Sequence, residues 1–172
     1  MGEPIQTAIL HSLDSAKSLY HRLVLLVGGS GAGKTKVLRT LADQLNAKVI
    51  NINLELSSRL LELTPKQRSL RLPQILREIV DSTQDTTVIL DNIELLFDAE
   101  LKLDPLRLLQ GISRNRIILA AWNGSMDDGK LKYAETGHPE YRTYEPGEIP
   151  IVNIGLDLKA NTATTSSEAS ET

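Results

Sequence analysis

The chain contains no cysteine. That excludes disulfides, thiolate metal sites and a cysteine nucleophile, and it fits a reducing compartment. Aromatic residues make up only 3% of the 172 positions, so the core must be built from Leu, Ile, Val and Ala. No apolar run approaches the ~20 residues of a membrane span. The opening MGEPIQT lacks the basic and apolar segments of a signal peptide, and Gln6 stands where a myristoylation signal places Ser or Thr. Excess positive charge is also missing. A formal net charge of −3 argues against binding nucleic acid by bulk electrostatics. One local basic cluster exists, Lys66, Arg68, Arg71 and Arg77. With no aromatics interleaved it reads first as a solvated helix face, and second as a contact for DNA or a partner protein. His138 has no second ligand at metal spacing, so no zinc site is expected. The expectation is a soluble, cytoplasmic protein without membrane contact.

What is present is enough apolar residue, 41%, for one domain with a real core in a length too short for two. Ile5, Ile9, Leu13, Ala16 and Tyr20 recur at three- and four-residue steps and predict an amphipathic helix. RLVLLV, residues 22–27, is a short branched apolar run bounded by glycines, hence a strand buried on both faces. Helical spacing follows through Val37, Leu38, Leu41 and Leu45, and KVININL, residues 48–54, reads as a second strand. Thr64-Pro65-Lys66-Gln67 is a helix start with a capping box, and Pro73 is expected to break or restart that helix. TTVILD is strand three, Asp104-Pro105 opens another helix, RIILAAW is strand four and IPIVNI strand five. Residues 124–148 carry Gly and Pro with little periodicity and predict a long loop or irregular helix. Strands alternating with helices predict an α/β domain, a parallel five-stranded sheet with helices on both faces. Three segments are expected. Residues 1–21 form an N-terminal helix packed on the core, 22–158 form the α/β domain, and 159–172 form a polar, disordered tail.

Gly28-Gly29-Ser30-Gly31-Ala32-Gly33-Lys34-Thr35 fits G-x-x-x-x-G-K-[ST], after a strand and before a helix. Small side chains let the loop wrap a phosphate closely. Successive backbone N–H groups and the helix N-terminus supply positive potential. Lys34 brings a charge to the β/γ-phosphates of ATP, and Thr35 offers a hydroxyl to Mg²⁺. Asp91 ends strand three, at the edge where such sheets bind ligands, and is the second Mg²⁺-side residue. The position after it is Asn92, which cannot take a proton but could orient a water. Glu94 is the nearest acid and Glu55, just past strand two, the second candidate for the base. Asn123, after strand four, faces the γ-phosphate if that strand lies between strands one and three. Arg142, between strands four and five, is a candidate arginine finger.

The order of P-loop, Asp91 strand and Asn123 strand resembles the additional-strand P-loop class and, within it, an AAA+-like core without the helical lid. In that resemblance Asn123 stands as the sensor residue and Arg142 where the finger is usually found. GGSGAGKT, NINLELSSRLLEL, LDNIELLF, DPLRLLQGISRNR, AAWNG and YAETGHPEYRTY are further similar to the BrxF family of small P-loop proteins in BREX phage-defence systems. The resemblance implies a bacterial accessory protein whose partners are a larger ATPase, a methyltransferase, a phosphatase-like protein and a helicase. Two functions remain open. One is a weak or assembly-dependent ATPase, shared between copies in a homo-oligomer. The other is a non-hydrolysing nucleotide-binding module that scaffolds partner proteins. A kinase lacks an acceptor site and arginine-bearing lid. A GTPase lacks the switch glycine after strand three and the guanine-reading Asn-Lys-x-Asp.

Overall fold

The computed structural model describes residues 3–134 and 141–154, apart from the side chain of Glu3. The expected tail at 159–172, His138 and part of YAETGHPEYRTY lie outside the described residues.

Helix α1, Glu3–Ala16, is followed by β1 (Leu23–Gly28), α2 (Lys34–Leu45) and β2 (Val49–Asn51). Then come α3 (Ile52–Leu60), α4 (Pro65–Asp81), β3 (Thr87–Asp91), two 3₁₀ turns (Glu94–Phe97 and Ala99–Leu101) and α5 (Pro105–Ile112). Strands β4 (Ile117–Asp127), β5 (Lys130–Tyr133), β6 (Arg142–Tyr144) and β7 (Ile151–Asn153) complete the described chain. The central sheet has the order β2-β3-β4-β1-β7, and all its pairings are parallel.

The apolar runs explain why the sheet is buried on both faces. Along β1, Leu23, Leu25 and Val27 join one core layer with Trp122, α3, α4 and α5. Val24 and Leu26 join the other with α1 and α2. Ile5, Ile9, Leu13 and Ala16 of α1 are buried in that second layer, and α1 ends four residues before the exposed Tyr20. Among the described residues no helix is long and apolar enough to cross a membrane.

Three sequence expectations are corrected. The second strand stops at Asn51, and its side chain accepts a hydrogen bond from the N–H of Leu54, 3.1 Å away, capping α3. Ile52, Leu56 and Leu60, four residues apart, are buried; this helical period was hidden behind the branched residues of KVINI. Pro73 lies inside one continuous helix, α4. Burial of Leu72, Ile75, Leu76, Ile79 and Val80 around it offsets the hydrogen bond that proline cannot donate. The capping box at the start of α4 is formed, with Thr64 and Gln67 bonding reciprocally at 3.0 and 3.2 Å.

The third correction concerns residues 124–148. Strand β4 runs five residues past Trp122 and turns into β5 and β6, an antiparallel arm on the parallel sheet. Gly124 permits the turn-off. A Cβ there would overlap the backbone carbonyl of Lys132, and the Trp122 ring nitrogen lies 3.0 Å from the same point. Three of the chain's few aromatics gather beneath the arm. Phe97 stacks on Tyr133 with centroids 3.5 Å apart, and Trp122 meets both edge-on.

Candidate nucleotide site

Strand β4 lies between β1 and β3, which puts Asn123 in register with Gly28. The carboxyl ends of β1, β3 and β4 therefore meet at one edge, beside the N-terminus of α2. They form an open cleft of about 650 Å³ whose lining includes Lys34, Thr35, Arg39, Asp91, Glu94 and Asn123.

The loop from Gly28 to Gly33 turns through two left-handed glycines, Gly31 at φ 81° and Gly33 at φ 97°, where a side chain would be strained. Gly28 is needed for a different reason: a Cβ there would collide with the side chain of Ile154. Lys34 opens α2 and is buried. Its ammonium donates to the carbonyls of Gly28 and Gly29, both at 2.8 Å. Burial lowers its pKa from the ordinary 10.5, against the opposing pull of the Asp91 and Glu94 carboxylates. The next residue, Thr35, donates its hydroxyl to Asp91 Oδ2 at 2.7 Å. Asp91 is also buried, and its Oδ1 accepts the N–H of Asn92 at 2.9 Å.

Asn92 adopts a left-handed conformation, φ 53°, which asparagine tolerates better than most residues. Its carbonyl accepts the N–H of Asn53 at 2.8 Å. The chain then winds into the 3₁₀ turn Glu94–Phe97, returning Glu94 to the cleft. Glu94 Oε1 accepts from Asn123 Nδ2 at 2.6 Å and Oε2 from Asn53 Nδ2 at 3.0 Å. Asn53 Oδ1 in turn accepts the N–H of Leu95 at 2.8 Å. Two amides thus hold one carboxylate across the cleft from Lys34.

The cleft brings together Lys34, Thr35, Asp91, Glu94 and Asn123. Ser30, Gly31 and Gly33 of the loop line it as well. Gly28, Gly29 and Ala32 contribute backbone and close packing behind the loop. Glu55 is half-buried in the first turn of α3 and does not line the cleft. Arg142 does not line it either. Its guanidinium donates to the carbonyls of Leu103 at 2.9 Å and Phe97 at 3.2 Å, so the finger expected there is engaged within its own chain. Asn53 was missed. Strand two was read through it, which concealed a polar residue just past a strand end at the ligand edge.

The basic cluster divides. Arg68 caps α3, donating to the carbonyls of Leu60 and Leu63 at 3.0 and 3.1 Å. Lys66, Arg71 and Arg77 are exposed. Arg114 lies over the Tyr20 ring at 4.8 Å, and Arg116 donates to the carbonyls of Val80 and Asp85. Both sit at the start of β4, at the sheet edge opposite the cleft.

Among the described residues no three His, Cys, Asp or Glu side chains gather to hold a metal. Mg²⁺ does not need such a cluster, since it is usually bound by one or two protein oxygens, water and phosphate. The Thr35 hydroxyl and the Asp91 carboxylate, in contact at 2.7 Å, are a donor set of that kind.

A parallel sheet in this order, with a glycine-rich loop and lysine at the end of β1 and an acid at the end of β3, one strand away across β4, defines a P-loop nucleotide-binding ATPase core. The family described as AAA, ATPase family associated with various cellular activities, matches residues 24–120, and the chain belongs to it. In solved structures the chain is similar to PCH-2 of C. elegans, with 19% identity and a TM-score of 0.45. That likeness covers 88% of this chain and 41% of that one, so this chain spans less than half of PCH-2. No curated protein matches the chain.

Proposed function

We propose that the chain binds Mg²⁺-ATP in this cleft and is a slow ATPase whose turnover is completed or regulated by assembly. The observation that carries this reading is the return of Glu94 to the cleft. The position after Asp91 is an asparagine, yet a carboxylate two residues later is held between Asn53 and Asn123, facing the lysine of the loop. Lys34 would neutralise the β/γ-phosphates, and Thr35 and Asp91 would hold Mg²⁺. When bound, the metal supplies charge stabilisation to the phosphate oxygens. Glu94 would orient a water and take its proton, while Asn123 would position the attacking oxygen or the γ-phosphate.

One observation favours the second reading, a non-hydrolysing module that scaffolds partners. Both oxygens of Glu94 are engaged by amides, which leaves its proton-accepting capacity partly occupied. Slow turnover alone, with stimulation when an assembly repositions Glu94, accommodates both facts.

The similarity of six segments to the BrxF family supports a place as an accessory in a bacterial BREX-type phage-defence complex. Its partners there would be a larger ATPase, a methyltransferase and a phosphatase-like protein, in the cytoplasm. DNA contact would fall to the exposed Lys66, Arg71 and Arg77. The test is phosphate release against protein concentration, with and without DNA, for wild type and Lys34→Ala. A rate per subunit that rises with concentration and vanishes in Lys34→Ala supports a shared ATPase site. Release that survives Lys34→Ala removes the assignment of the site. Binding without release under all conditions selects the module.

A further inference from the structure

We infer that the antiparallel arm β5–β6 positions Glu94, and that Arg142 is its positioning residue in its own subunit. This rests on the proposed assignment of Glu94 as the hydrolytic base. A single 3₁₀ turn carries Glu94, and such turns have poor hydrogen-bond geometry and depend on outside support. The start of this turn is fastened by Asn53, which bonds both the Glu94 carboxylate and the N–H of Leu95. Its end is fastened by the arm. Arg142 Nη2 donates to the carbonyl of Phe97, the last residue of the turn, and Nη1 reaches on to Leu103. A cation placed on the last carbonyls of a helical turn is in the electrostatically favourable position. The ring of Phe97 stacks on Tyr133 of β5, and Phe97 is fully buried. The arm therefore grips the turn through its backbone and its terminal side chain.

The same arm is tied to the other amide that holds Glu94. The carbonyl of Asn123 accepts the N–H of Ala134 at 2.8 Å. Trp122, one residue earlier, donates its ring N–H to the carbonyl of Lys132 at 3.0 Å. Displacing the arm would loosen Glu94 and Asn123 together and leave the phosphate loop, which it does not touch through any of these bonds, in place.

Arg142→Ala and Arg142→Lys separate this role from a finger acting in a neighbouring subunit. In Arg142→Ala, turnover should fall about tenfold to a hundredfold, the scale on which small displacements of reacting groups act, while Mg-ATP affinity stays within about twofold. Arg142→Lys, which keeps the charge but loses the planar two-nitrogen fork, should fall between, and it serves as the readout if the alanine variant does not fold. Backbone amides of residues 94–103 should exchange hydrogen faster in both variants, with those of residues 28–35 unchanged. Mixing Arg142→Ala with Lys34→Ala subunits should restore no turnover, because each subunit needs its own arginine. Restored turnover on mixing would overturn the inference, as would wild-type exchange across 94–103 in both variants. If wild type releases no phosphate, the assignment of Glu94 as base fails, and the exchange measurement still decides whether Arg142 holds the turn.

Discussion

Replacing Glu94 with glutamine should separate chemistry from structure. The orientation of Asn53 is fixed, because its Oδ1 accepts the N–H of Leu95. Its Nδ2 must therefore face residue 94. A glutamine there has one acceptor oxygen, which this bond takes. The glutamine nitrogen then meets Asn123 Nδ2, donor against donor, until the Asn123 amide turns over and presents its oxygen. Both hydrogen bonds survive in neutral form. Each drops from about 1.5–3 kcal/mol, with a charged partner, to about 0.5–1.5 kcal/mol. Partial solvent exposure reduces that loss, while the attraction between Glu94 and Lys34 disappears and adds to it, so the folded state should lose about 1–3 kcal/mol. Turnover should fall by roughly 10²- to 10⁴-fold, the usual contribution of a general base, or about 3–5 kcal/mol of barrier. Mg-ATP binding should persist. Glu55→Gln, outside the cleft, should leave turnover within about twofold. Phosphate release at saturating Mg-ATP measures turnover in both variants, and thermal unfolding without and with Mg-ATP measures stability and binding. Wild-type turnover in Glu94→Gln, or its loss in Glu55→Gln, would refute the reasoning.

Three further outcomes follow from the geometry. Asn92→Glu places an acid directly after Asp91, yet in a left-handed backbone. It should destabilise the fold by about 1 kcal/mol without raising turnover, while Asn92→Gly should be tolerated, as unfolding midpoints and phosphate release will report. Lys34 holds its proton less tightly than an ordinary lysine because it is buried. Between its lowered value and 10.5 the unfolded chain binds more protons, so stability without nucleotide should rise with pH in that window. Phosphate favours the charged form, so Mg-ATP binding should take up a proton there, and affinity should fall as pH climbs through the lowered value. Calorimetry in buffers of different ionisation enthalpy checks this, and a midpoint at or above 10.5 would contradict it. Gly124→Ala forces a Cβ into the Lys132 carbonyl and should detach the arm. A changed emission of Trp122, the chain's single tryptophan, together with a loss of about 2 kcal/mol or more, should mark it.

Much of this architecture was legible because its signals are local. The run at 22–27 is continuous because β1 is covered on both faces, and the phosphate loop announces itself by composition and by its place between strand and helix. The end of β2 was misread because branched residues suit a strand and the first turn of a helix alike. Only the side chain of Asn51, capping α3, settles the boundary. The antiparallel arm was invisible for a different reason. Its strands are three to four residues long past the bend at Gly124, and their pairing is set by contacts with Phe97 and Trp122. The cleft divides in the same way. Lys34, Thr35 and Asp91 could be read from motif and strand order. The holding of Glu94 by Asn53 and Asn123 joins residues 41 and 29 positions away, and no spacing rule links them. The contacts of Arg142 with Leu103 and Phe97 could not be read either, because a lone arginine between two strands carries no sign of which carbonyls it meets.

The most direct test of the account is calorimetric titration of Mg-ATP into wild-type protein and into Lys34→Ala. The account predicts saturable binding near one nucleotide per chain in wild type and its loss in Lys34→Ala. Absence of saturable binding to wild type at millimolar nucleotide, or equal binding by Lys34→Ala, would contradict it.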